Sequence, residues 1–159
     1  MATLAVLVIL TSLAAASMST TINSNRIYAA QVEMVASLAL ARSEAARRGV
    51  PVVLTATNPV THNAFGGGWT VWADTNGNGV FDSGSDVLLR SHEAIPSAIQ
   101  IGETATTIGF TPMGFLTQSA SVDIKVCPSD GSVAGYDLTI LPNGMVDVAD
   151  VAAHTAPCS

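Results

Sequence analysis

Met1-Ala-Thr-Leu-Ala-Val-Leu-Val-Ile-Leu-Thr-Ser-Leu-Ala-Ala-Ala16 opens the chain, and no Gly, Pro or charged residue interrupts it. The first charge is Arg26, and the first Gly or Pro is Gly49. Between them the pattern changes from apolar on every side to one-sided. Ile27, Ala30, Met34, Leu38, Ala41 and Ala45 recur at three- and four-residue steps, which is one face of an α-helix. Tyr28, Val32, Val35 and Ala39 widen that face, while Glu33, Ser37, Glu44 and Arg48 mark the side away from it. The run ends at Arg47-Arg48-Gly49-Val50-Pro51. Cations in a last turn suit the negative end of the helix dipole. Glycine takes the left-handed cap conformation and proline cannot continue the helix. The reading is one long helix over residues 1–48.

Its two halves have different surroundings. A helix that is apolar all round needs an apolar solvent, either lipid or the middle of a bundle. Residues 1–22 reach roughly 30 Å at about 1.5 Å per residue, the thickness of a bilayer core. Leu4, Val6, Leu7, Val8, Ile9, Leu10 and Leu13 supply the apolar surface. Small residues such as Ala5, Ser12 and Ala14 suit close approach of neighbouring helices. A cleaved signal peptide would carry a basic stretch ahead of the apolar run, and none is there. Residues 1–25 are therefore expected to be a retained transmembrane or filament-core segment. Residues 26–159 form one head, with its amphipathic helix over 26–48.

After Pro51 the pattern becomes short β-branched or alternating runs separated by turn residues. Strands are expected at 52–57, 69–73, 87–90, 99–101, 106–110, 122–126, 136–141 and 145–148. Short strands at regular spacing give a mostly antiparallel sheet, here over residues 52–148. With one helix covering it, the fold class is α+β.

The net charge of −6 is unevenly placed. Residues 1–48 hold Arg26, Arg42, Arg47 and Arg48 against Glu33 and Glu44. Beyond them only Arg90 and Lys125 face ten acids. An acidic head argues against nucleic acid as a partner, because phosphate binding needs clustered cations. Cys127 and Cys158 are the two cysteines. An even pair behind an export-like start reads as one disulfide in an oxidising compartment.

Asp74-Thr-Asn-Gly-Asn-Gly-Val-Phe-Asp82 places oxygens at Asp74, Asn76, Asn78 and Asp82 with calcium-loop spacing, and Gly79 at the sharp turn. The twelfth position is Ser85, with no bidentate Glu. A hairpin turn in which Asn-Gly supplies positive φ accounts for the same residues, so no cofactor is required and calcium is the secondary reading. His62, His92 and His154 are scattered, and no nucleophile, phosphate-loop or zinc pattern is present, so the chain is not expected to be an enzyme. Gly66-Gly-Gly68 precedes a strand and reads as a flexible loop. Trp69 and Trp72 fall on opposite faces of one strand, with one of them in the core.

Leu38-Ala-Leu-Ala-Arg-Ser-Glu-Ala-Ala-Arg-Arg-Gly-Val-Pro-Val52 resembles the signature of the GspH/FimT family of minor pilins and pseudopilins. Trp69-Thr-Val-Trp-Ala-Asp-Thr-Asn-Gly-Asn-Gly79, Ile108-Gly-Phe-Thr-Pro-Met-Gly114 and Leu141-Pro-Asn-Gly144 are similar to its later segments, in the same order. The resemblance covers nearly the whole chain and matches Cys127 and Cys158 to a C-terminal cysteine pair. It implies a non-catalytic subunit of a type II secretion or type IV pilus filament. The implied partners are other pilin-type subunits and the inner-membrane assembly platform. The implied location is the bacterial inner membrane, single-pass, with the head in the periplasm. The family's cleavage Gly and its Phe-Thr-Leu-Ile-Glu do not precede the apolar run here and are expected to be encoded upstream. Ala16 stands where many relatives have a kinking Pro. The basic turn linked to DNA binding in some members reads Gly114-Phe-Leu-Thr or Gly144-Met-Val-Asp here, without Arg. The competing reading is a secreted or tethered binding module that uses the loops over 64–86.

Overall fold

The computed structural model describes the helix backbone from Ala2, side chains from Ser19, and residues 49–102 and 105–152. One helix, α1 (Ala2–Arg48), is followed by eight strands. They are β1 (Val52–Ala56), β2 (Trp69–Ala73), β3 (Val87–His92), β4 (Ile99–Gly102), β5 (Thr107–Phe110), β6 (Val122–Pro128), β7 (Gly135–Ile140) and β8 (Val146–Val151). All eight expected strands are present. At about 1.5 Å per residue α1 is roughly 70 Å long. Gly49 closes it at φ 71°, donating its N–H to the Ala45 carbonyl at 3.0 Å.

The strands form two sheets rather than one. Sheet 1 has the order β3-β2-β1-β5 and sheet 2 the order β4-β6-β7-β8, and every pairing is antiparallel. The second half of α1 covers both. Ile27, Ala30, Met34, Leu38, Ala41 and Ala45 are all buried, as their spacing requires. They pack with Leu54, Trp69, Val71, Ile108 and Phe110 of sheet 1 and with Ile124, Val126, Leu138 and Ile140 of sheet 2. Side chains of this size each contribute about 1.5–3 kcal/mol on burial, so this face holds helix and sheets together.

Several expectations are corrected. Tyr28, Val32 and Ala39 do not widen the buried face; they are exposed, and Val35 is half-buried. Ser37 does not face away from the core. It is fully buried, donating to the Glu33 carbonyl at 2.8 Å and accepting from the Trp69 indole N–H at 2.9 Å. A hydroxyl turned back onto its own helix can sit in a core because both its roles are filled. Both tryptophans are buried. Trp72, on the face away from α1, is capped by Phe81 in an edge-on contact at 5.6 Å, and its N–H donates to Thr55 at 3.1 Å. His92 is no loose surface residue either; it stacks flat on Trp69, ring centroids 4.0 Å apart.

Gly66-Gly-Gly68 is not a slack loop. At Gly68, φ is 95° and a β-carbon would lie 2.5 Å from the His92 carbonyl oxygen. The preceding turn joins the sheets: Ile101 N–H donates to the Asn63 side-chain oxygen at 2.8 Å, and Phe65 N–H to the Ile101 carbonyl at 3.1 Å.

Candidate functional site

Among the described residues, the informative surfaces are those that could meet another subunit. Residues 19–26 of α1 are exposed apart from half-buried Asn23, so the helix leaves the head at Ile27. Among the described residues no helix is long and apolar enough to cross a membrane. The side chains expected to do so, Leu4, Val6, Leu7, Val8, Ile9, Leu10 and Leu13, lie outside the described residues.

Nearer the C-terminal end of α1, the segments that carried the family resemblance converge. The turn after β5 (residues 111–114) belongs to sheet 1, and the turn between β7 and β8 (residues 141–144) to sheet 2. Each is closed by its own hydrogen bonds: Thr111 N–H to the Phe115 carbonyl at 2.8 Å, and Leu141 N–H to the Met145 carbonyl at 2.8 Å. Leu116 N–H then donates to the Pro142 carbonyl at 3.0 Å, joining them. Gly144 makes the contact feasible: its φ is 77°, and a β-carbon there would stand 2.0 Å from the Gly114 carbonyl oxygen.

Arg42 clamps the pair. Its Nε donates to the Gly114 carbonyl at 3.1 Å and its Nη2 to the Asn143 carbonyl at 3.2 Å. One guanidinium fork on the helix thus fastens a turn from each sheet, which suits arginine's rigid planar donors. Sequence reasoning counted Arg42 among the helix cations and within a signature, and gave it no contact. The available signal was its position, next to Ala41 on the core face. Along this seam Val35, Ala39, Ser43, Ala46, Met113 and Val146 line an open groove of about 490 Å³. Met113, Phe115 and Met145 remain exposed beside it.

The helix end is electrostatically tied. Arg47 donates through Nε at 2.9 Å and Nη2 at 2.6 Å to Glu44, and Arg48 through Nε at 2.6 Å. The Arg47 bonds, then the one from Arg48, hold the Glu44 carboxyl down at about 2. On the opposite sheet edge, Arg90 pairs with Glu33 at 3.0 Å, linking β3 to α1.

The candidate calcium residues do share one loop, residues 74–86, but their oxygens are already engaged. Asp74 accepts from Gly77 N–H at 2.7 Å and Gly79 N–H at 2.9 Å. Asn76 and Asn78 oxygens accept from the N–H groups of Asn78 and Val80, at 3.0 and 2.8 Å. Asp82 accepts both asparagine amides, at 3.0 and 2.7 Å. Asp86, which the calcium spacing left out, is the buried staple. It accepts from Thr75 N–H at 3.0 Å and Asp82 N–H at 2.8 Å, and the Asp82 N–H is the main cause of its lowered pKa. Among the described residues no group of three or more His, Cys, Asp or Glu is placed to hold a metal ion. These bonds order the loop, and each of these side chains keeps a further oxygen lone pair. Cys127, half-buried on β6, is disulfide-bonded, while Cys158 lies outside the described residues, as does His154.

Comparison with known proteins follows the same seam. No curated protein sequence matches the chain significantly. The type IV minor pilin FimU of Pseudomonas aeruginosa PAO1 shares the fold at a TM-score of 0.62 and 25% identity, covering 79% of this chain and 90% of that one. A second crystal form of FimU gives 0.59 and 25%, over 77% and 91%. The minor pseudopilin EpsH, from the type 2 secretion system of Vibrio cholerae, shares the fold alone, with a TM-score of 0.56 and 14% identity over 78% and 96%. The family described as type II transport protein GspH matches residues 30–144, from the buried helix face to the turn glycine that follows Asn143, whose carbonyl Arg42 holds. With that span covering most of the head, the chain belongs to the GspH family and is a minor pilin or pseudopilin subunit of filament assembly.

Proposed function

We propose that the chain is a non-catalytic assembly subunit, anchored by residues 1–25 in the bacterial inner membrane with residues 26–159 in the periplasm. It passes from there into a filament with other pilin-type subunits, by way of an inner-membrane assembly platform. One observation carries this reading. Among the described residues the helix positions buried by the head begin at Ile27, and the helix continues past them into a sequence that is apolar on every side. Such a segment is unstable in water and stable among lipid tails or sister helices. The family and fold are those of structural subunits, and the groove by Arg42 supplies packing surface rather than reacting groups. The disulfide proposed from the sequence, Cys127 with Cys158, fits the periplasm's oxidising chemistry.

The test is membrane extraction of the full chain expressed with an export signal. It is expected to stay with the membrane through carbonate washing, and Leu7→Lys with Leu10→Lys is expected to release it. Recovery of the unaltered chain in the carbonate supernatant would refute the anchor.

A further inference from the structure

The loop over residues 74–86 contains two Asn-Gly pairs in succession, Asn76-Gly77 and Asn78-Gly79, and the third such pair in the chain is Asn143-Gly144. The turn demands the two loop glycines. Their φ values are 74° and 75°, and no heavy atom stands within 4 Å of where a β-carbon would be, so backbone conformation rather than crowding requires them.

An Asn-Gly pair carries a chemical liability. The glycine nitrogen, unhindered by a side chain, attacks the carbonyl carbon of the asparagine side chain. A C–N bond forms, the side-chain nitrogen leaves as ammonia with the proton from the glycine N–H, and a succinimide remains. Water opens that ring to aspartate or isoaspartate. Attack requires the two reacting atoms to come within about 3–3.5 Å in the right orientation.

In this loop both reacting groups of both pairs are held by something else. Asp74, only 4% exposed, accepts the Gly77 N–H on Oδ1 at 2.7 Å and the Gly79 N–H on Oδ2 at 2.9 Å, which are the two attacking nitrogens. Asp82 Oδ2 accepts the side-chain amides of Asn76 at 3.0 Å and Asn78 at 2.7 Å, which are the two groups attacked. The asparagine oxygens point forward to the N–H groups of Asn78 and Val80, two residues on, and not back to the adjacent glycine. A single conversion would undo the arrangement. A carboxylate in place of either amide has no proton for Asp82 and stands against it as a like charge, and isoaspartate lengthens the main chain where the loop closes on Asp86.

We infer that residues 76–79 are a guarded modification site, in which Asp74 immobilises the nucleophiles and Asp82 the electrophiles of two deamidation reactions. The experiment incubates the full chain in detergent micelles in mildly alkaline buffer, beside the same chain unfolded in guanidinium chloride. Peptide mapping then reads aspartate and isoaspartate at each Asn-Gly pair. Asn76 and Asn78 are expected to convert at least about tenfold more slowly in the folded chain, a difference of about 1.4 kcal/mol in the barrier. Asp74→Ala is expected to restore most of the unfolded rate at both positions. It should leave Asn143 slow, because the Gly144 N–H donates to the Leu141 carbonyl at 2.8 Å and does not involve the loop. A simultaneous rise at Asn143 would report general unfolding of that variant. Asp82→Ala, at an exposed residue, then carries the test by freeing both amides, with faster conversion expected at Asn76 and Asn78 and none at Asn143. Equal rates in the folded and unfolded chains would overturn the inference. So would either variant that keeps Asn143 slow and yet converts Asn76 and Asn78 no faster than the unaltered chain.

Discussion

Replacing Arg42 by Ala tests the idea that one side chain fastens both sheets to the helix. Two charged N–H donors are lost, at 3.1 Å to Gly114 and 3.2 Å to Asn143. Hydrogen bonds from charged donors contribute about 1.5–3 kcal/mol each when well shielded, and less in partly wet sites. The second bond is solvent-exposed, so the two together are expected to supply about 2 kcal/mol. Loss of the arginine stem from the groove adds to this, giving an expected cost of about 2–3 kcal/mol. For a chain of this size the melting temperature should fall by about 5–10 °C. Urea unfolding followed by the fluorescence of Trp69 and Trp72 measures the change. Arg42→Lys keeps the charge but not the fork, and should recover less than half of it. Arg47→Ala removes a surface guanidinium paired with Glu44, a carboxylate that Arg48 still holds, and should lower the midpoint far less than Arg42→Ala. If Arg42→Ala proves as mild as Arg47→Ala, the clamp is not holding the turns.

Three further outcomes are expected. Non-reducing peptide mapping should recover Cys127 joined to Cys158, and Cys127→Ser should cost about 3–4 kcal/mol for a loop of this length; recovery of Cys127 as a thiol would refute the pairing. Acid should loosen the helix end and the 74–86 loop: the carboxyls of Glu44 and Asp86 are depressed in the folded chain, so their contributions are complete above the ordinary carboxylate range and are lost as pH falls through and below it, towards 2 for Glu44. Glu44→Gln should flatten the helix-end part of that profile, and an unchanged acid limb would contradict it. Calcium at millimolar concentration should leave the melting temperature of the full chain unchanged, because the twelfth position of the loop is Ser85 and supplies no bidentate carboxylate; a cation present at 100 times its dissociation constant would instead stabilise the fold by about 2.7 kcal/mol.

The sequence by itself determined the helix, the Ile27-to-Ala45 stripe of its buried face, all eight strands and the class of molecule. These are local or periodic properties. Steps of three and four place Ile27 to Ala45 on one side of any helix, and β-branched runs between turn residues form strands wherever they are later packed. What only the tertiary structure decided is how distant segments meet. The division into two sheets depends on pairings such as β1 with β5, which join strands about 50 residues apart and leave no periodic trace. Ser37 was read as polar and therefore outward, but the Trp69 N–H, 32 residues away, gives its hydroxyl a buried partner. Arg42 looked like one more cation on a helix until two turns, 72 and 101 residues further on, brought their carbonyls to it. The oxygens of the 74–86 loop showed calcium spacing because spacing records which atoms lie near one another. Which backbone N–H groups they accept is set by the positive φ at Gly77 and Gly79, and those angles are fixed only when the loop closes on Asp86.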